Sequence, residues 1–289
     1  MSHALGKLFD GFLLAKEADG VKDTTLETYR VMYKNLVAFF PVEKLDHPET
    51  LTPQDMQAWA VSLKHYADAT RDQRIAKAKA FFAWCEAYGY LESNPAAILK
   101  RPKKTWQPDP FSEEELAFLL AESKRGSMGI RNYALCCFLL DSGIRNTELR
   151  NLLVEDVSLK TGQVKIREGK GSKPRTVIIG KRAKEALWKW LMIRPETATH
   201  LFCTMAGVSL DRIRLRVIIS KIGQRASVRA YPHRFRHTFA LQYLKLSGDP
   251  YSLQYLLGHE DMSTVREYVK IAAQDASDMY RSPLDALKL

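Results

Sequence analysis

The segment Lys100-Arg-Pro-Lys-Lys-Thr-Trp-Gln-Pro-Asp-Pro110 limits what this chain can fold into more than any other stretch. Three prolines and four basic residues fall within its eleven positions, and no regular helix survives that density of missing backbone donors. It reads as a linker, dividing the chain into residues 1–99 and 111–289. Each part has the length of an ordinary domain, about 100–200 residues.

The first part reads as all-helical. Leu8, Phe12 and Leu13 make one apolar face at helical spacing, and Gly20 ends it. Thr24 or Thr25 is a candidate cap for a second helix carrying Tyr29, Met32, Tyr33, Leu36, Phe39 and Phe40. Thr52-Pro53 opens a third helix with proline at its first position, and Ala69 to Tyr88 forms a fourth with Phe81, Phe82 and Trp84 as core candidates.

The second part is expected to be mainly α with a small antiparallel β-sheet. Phe111-Ser-Glu-Glu-Glu115 is a helix-start signature, with Ser112 capping, Glu115 reaching back and Phe111 as hydrophobic staple. A helix over Tyr133–Leu140 ends at Gly143. Strands are expected around Gln163–Arg167 and Arg175–Ile179, joined by the glycine- and lysine-rich turn Glu168-Gly-Lys-Gly-Ser-Lys-Pro174. Helices then follow over Lys181–Ile193, Asp211–Gln224, Pro232–Leu246, Tyr251–Leu257 and Ser263–Ala273.

The net charge of +11, from 44 basic and 33 acidic residues, favours a polyanionic partner, nucleic acid foremost; a generically basic surface is the plainer alternative. Cys85, Cys136, Cys137 and Cys203 lack Cys-x-x-Cys spacing and are expected as buried, reduced thiols. Neither a metal nor a cofactor is expected. No membrane span or signal peptide is legible, so the expected location is the cytoplasm.

Five passages carry chemistry-bearing residues. Gly-Ile-Arg145-Asn-Thr-Glu148-Leu sets an arginine between one helix's terminal glycine and the next helix's start. Lys170 sits at the hairpin tip. His233 and Arg236 share a face of the helix opened by Pro232. His259 follows the glycine that closes Leu-Leu-Gly, and Tyr268 comes nine residues later. Singly, each has a plainer reading: a surface arginine, a solvated turn lysine, a capping histidine, a core tyrosine.

Together, and in this order, these passages resemble the tyrosine recombinase (phage integrase) family, in its Xer-like, two-domain form. The matching runs are Gly-Ile-Arg145-x-x-Glu-Leu, Gly-Lys170-Gly-Ser-Lys-x-Arg175, His233-x-x-Arg236-His-Thr-Phe-Ala, Leu-Leu-Gly-His259, and Tyr268 at the family's distance. The resemblance implies that the family's catalytic positions fall on Arg145, Lys170, His233, Arg236 and His259, with Tyr268 as nucleophile. Phe235, Val265 and the Val-Lys after Tyr268 depart from common family choices without removing any of these positions.

The resemblance also implies a chemistry that suits these residue types. Two guanidiniums clamp the non-bridging oxygens of a phosphodiester as charge builds there. A phenol with an ordinary pKa of about 10 must lose its proton as it attacks. His233 is the expected base, Lys170 the donor to the departing 5′-hydroxyl, and His259 a hydrogen-bond partner of the phosphate. The 3′-phosphotyrosyl bond keeps the energy of the diester, so rejoining needs no ATP. Also implied are a clamp of two domains around double-stranded DNA bearing a specific recombination site, a homotetramer on two such sites, and a C-terminal tail docking in trans. Tyr280 is the rival nucleophile, at poorer spacing. A type IB topoisomerase and a non-catalytic DNA-binding regulator are the alternative functions.

Overall fold

A computed structural model describes residues 3–102, 108–167, 174–258 and 262–274. The chain divides into two compact units, Met1–Trp106 and Gln107–Leu289.

The first unit is helical: α1 (Ala4–Ala18), α2 (Asp23–Phe39), α3 (Val42–Asp46), α4 (Pro53–Ser62) and α5 (Asp68–Ala87). Its core is aromatic. Phe9 stacks on Tyr33 with ring centroids 4.0 Å apart and meets Phe81 edge-on at 5.4 Å. Thr52 caps α4 in a full capping box: its hydroxyl accepts from Asp55 N, whose carboxylate accepts from Thr52 N. The start of α2 differs from expectation. Thr24 and Thr25 lie inside its first turn, and Lys22 is the N-cap with no side-chain cap bond. Phe39 is also not core. The helix ends there, and the extended backbone at Phe40 turns that ring inward while Phe39 stays 38% exposed. Within the stretch expected as the linker, Arg101 forks onto the buried carboxylate of Asp72 at 2.6 and 2.9 Å, so this cation is already paired.

The second unit is built around α7 (Gly129–Ser142), which follows α6 (Glu113–Ser123). Apolar or small on nearly every side, α7 is enclosed by its neighbours. Then come α8 (Asn146–Asn151), the antiparallel pair β1 (Gln163–Ile166) and β2 (Arg175–Ile178), α9 (Lys181–Leu191), α10 (Arg212–Arg225), α11 (Pro232–Ser247), α12 (Pro250–Leu257) and α13 (Ser263–Gln274). The strands pair from Gln163 opposite Ile178 to Ile166 opposite Arg175. Val164, Ile166 and Val177 point to the core, as the two-residue period requires. Trp190 of α9 is wholly buried, and its Nε1 donates to Leu201 O at 2.8 Å. All four cysteines are buried free thiols. Among the described residues, no helix is long and apolar enough to cross a membrane.

The expected cap of α6 is present, with Ser112 and Glu115 bonding reciprocally. Phe111 packs edge-on against Phe235 of α11 at 5.1 Å, and its N donates to Thr238 Oγ1 at 2.9 Å. The buried Arg234 fastens the same stretch, donating to Asp109 O, Pro110 O and the Glu115 carboxylate.

Candidate active site

Two left-handed glycines build the site. Gly143 closes α7 at φ +59°, where a Cβ would lie 2.1 Å from the Phe239 ring. The chain can therefore turn sharply and deliver Arg145 to the N-cap of α8, as the sequence suggested. Gly258 closes α12 at φ +62°, and a Cβ there would lie 2.9 Å from Arg175 Nη1.

The last carbonyls of a helix lack intrahelical partners. At the end of α12 three consecutive ones accept from three arginines: Leu256 O from Arg175 Nε at 2.8 Å, Leu257 O from Arg236 Nη2 at 2.7 Å, and Gly258 O from Arg145 Nη2 at 2.6 Å. The negative end of the helix dipole favours cations in that place. Arg236 also donates to Gly143 O at 2.8 Å, so both terminal glycine turns hold it. It is only 2% exposed. Burial, then the nearby Arg145 charge, lowers its pKa to about 9, which still leaves it cationic at neutral pH.

Glu148 is the buried anion of this cluster. Its carboxylate accepts from Arg145 N and Arg145 Nη1 at 2.7 and 3.0 Å, and from Arg175 Nη1 and Nη2 at 2.9 Å each. Burial pushes its pKa up, but the fork and charge of Arg175, aided by Arg145, prevail and hold it at about 2. Arg145 is the more open arginine, with 29% of its side chain exposed.

Tyr268 lies on α13, 1% exposed, with its Oη 2.6 Å from Nδ1 of His237. Burial raises the phenol pKa to about 12, with Arg236 pulling the other way. Burial likewise lowers His237 to about 4, reinforced by His233 and Arg236. The imidazole is therefore neutral at pH 7, and the tautomer protonated on Nε2 accepts the phenol hydrogen at Nδ1. His233, exposed at the rim, meets the His237 ring edge-on at 4.5 Å. Its pKa is lowered by desolvation first, then by Arg236 and Arg145.

Of the residues singled out from the sequence, Arg145, His233, Arg236 and Tyr268 come together here. Lys170 and His259 lie outside the described residues, as do Tyr280 and the tail from 276 onward. Two contributors had been given no role. His237 stands one helical turn after His233, and that spacing was its signal. Arg175 is a charged residue on the core-facing side of a strand, the same side as Val177, and such a position asks for a buried partner.

The pKa directions predict the acid response. His237 resists protonation when folded, so its contribution to stability is complete above pH 6.5 and is lost as pH falls towards 4. Glu148 contributes fully above pH 4.5 and loses its contribution towards pH 2. Unfolding free energy should therefore decline in two stages. Between pH 7 and 4 the parent should lose on the order of 3 kcal/mol more than His237→Gln, measured by urea titration.

The phage integrase family model matches residues 110–275. The tyrosine recombinase XerC of Oceanobacillus iheyensis is 32% identical, over 89% of this chain and 88% of its own length. XerC of Proteus mirabilis is 27% identical, over 96% and 93% of the two chains. Among solved structures, XerA recombinase aligns with 96% of this chain and all of its own at 25% identity, with a TM-score of 0.54. The Tn1549 transposon integrase, solved in complex with a circular intermediate DNA, aligns with 96% of this chain at a TM-score of 0.78 and 16% identity, a likeness of fold.

Proposed function

This chain belongs to the phage integrase family, and from that membership we propose that it is a site-specific recombinase that breaks and rejoins DNA through Tyr268. The observation that carries this reading is the gathering of Arg145 and Arg236 on the end of α12, one short connection before the helix that bears Tyr268.

In this reading the Tyr268 oxygen attacks a backbone phosphorus, forming a 3′-phosphotyrosyl bond as the bond to the 5′-oxygen breaks. Arg145 and Arg236 take the charge on the non-bridging oxygens. Lys170 gives a proton to the departing 5′-oxygen, and His259 bonds the phosphate. The resting arrangement keeps the nucleophile protonated. Burial raises the phenol pKa and lowers that of His237, so both shifts oppose transfer of the proton to His237. Attack therefore requires Tyr268 to exchange His237 for the phosphate, with His233 receiving the proton.

The partner is double-stranded DNA, consistent with the net charge of +11 and with the likeness to an integrase solved on DNA. Residues 1–99 serve as a core-type DNA-binding domain, 100–110 as the basic linker, and 111–289 as the catalytic domain with its tail. The working form is a homotetramer on two sites, each tail docking on a neighbour. The protein acts in the cytoplasm.

The test is strand exchange between two labelled duplexes, selected from genomic fragments that the protein captures covalently in EDTA. Recombinant-length products support this reading. Relaxation of supercoiled plasmid without exchange would favour topoisomerase-like action, and binding without either would favour the regulator.

A further inference from the structure

We propose that Arg175 is a positioning residue for phosphate activation: it neutralises Glu148 so that the charge of Arg145 stays available to the scissile phosphate. The inference rests on the recombinase reading above.

Arg145 and Glu148 on their own would form a closed pair. The carboxylate accepts both the backbone and a guanidinium nitrogen of Arg145, and a lone buried anion would draw that cation inward and cancel it. Arg175 alters the balance. Its Nη1 and Nη2 meet the two carboxylate oxygens symmetrically, at 2.9 Å each, which is the strong fork-to-fork geometry. With side-chain exposures of 2% and 1%, Arg175 and Glu148 form the buried ion pair, while Arg145 keeps its outward face. One carboxylate charge then faces two guanidiniums, so the cluster keeps a net positive charge on the side of Arg145.

The third donor of Arg175 adds a geometric element. Nε bonds Leu256 O, two residues before the Gly258 carbonyl that holds Arg145. A Cβ at Gly258 would fall 2.9 Å from Arg175 Nη1, so the glycine is also what lets this guanidinium approach the helix end. Arg175 opens β2, five residues after Lys170 in the sequence. One side chain thus fixes the carboxylate beneath Arg145, the helix end beside it and the first residue of β2. A lysine at 175 supplies the charge but cannot span two carboxylate oxygens and a carbonyl in one plane.

The test compares covalent adduct formation by the parent, Arg175→Lys and Arg175→Met. The probes are nicked duplexes built on the captured site, with either a normal phosphodiester or a methylphosphonate at the cleavage position. The methylphosphonate carries no charge on its non-bridging positions and so relies little on the charge of Arg145. On the phosphodiester, Arg175→Met should be slower by about 100-fold and Arg175→Lys by about 10-fold, with duplex affinity unchanged. On the methylphosphonate both losses should shrink to within about 3-fold of the parent. Equal losses on the two probes would overturn the proposal and leave Arg175 a structural residue, and so would parental rates for Arg175→Lys and Arg175→Met on both. If the parent forms no adduct on any DNA, the recombinase reading itself fails and takes this proposal with it.

Discussion

Tyr268→Phe protein is expected to bind duplex DNA like the parent and to leave no covalent protein–DNA band on a denaturing gel run after incubation in EDTA. The substitution keeps the ring that α13 buries and removes only the hydroxyl facing His237. Taking this partner from the buried His237 ring should cost about 1–3 kcal/mol of stability, too little to unfold the domain. The loss in adduct formation should be at least about 10⁴-fold, the scale on which removal of a nucleophile falls. Tyr280→Phe should form adduct at the parental rate. The reverse pattern, adduct from Tyr268→Phe and none from Tyr280→Phe, would transfer the nucleophile's role to Tyr280.

Arg236→Ala should be the next most damaging change, and in two separable ways. Adduct formation should fall by at least about 10³-fold, because a fixed cation aimed at the charge of the transition state is lost. Gly143 O and Leu257 O also lose their guanidinium donors within a buried region. Each carbonyl left unsatisfied costs about 1–3 kcal/mol, so thermal unfolding should move down clearly. Arg236→Lys separates the two effects. It restores the charge, but a single nitrogen cannot reproduce the planar fork that meets the two carbonyls from separate nitrogens, and activity should stay about 100-fold below the parent while stability recovers in part. Parental activity in Arg236→Lys would show that the forked geometry is dispensable.

Much of the fold was legible because its signals are local. The Ser112 cap, Pro232 at the head of α11 and the terminal Gly143 each act within a few residues of themselves. The errors arose where neighbours decide. The backbone at Phe40, not the periodicity, sends Phe39 outward, and α2 begins before the threonines that looked like its caps. The site shows the same division. Arg145, His233, Arg236 and Tyr268, which the fold brings together, were singled out from the order of short motifs. The partners that set their chemistry were not, because the bonds are tertiary: Arg175 reaches Glu148 across 27 residues, and His237 reaches Tyr268 across 31. The carbonyls of Leu256, Leu257 and Gly258 have no side-chain identity for a sequence to display.

The fastening at the entrance of the second unit has a mechanical consequence. Arg234 and Thr238 of α11 grip the incoming backbone from Asp109 to Phe111, and His233 and Arg236 stand on the same helical turns. Tension on the backbone entering at Asp109 is thus borne at the head of the helix that carries Arg236. Like a rope made fast beside the rudder, the tether cannot be hauled without the steering feeling it.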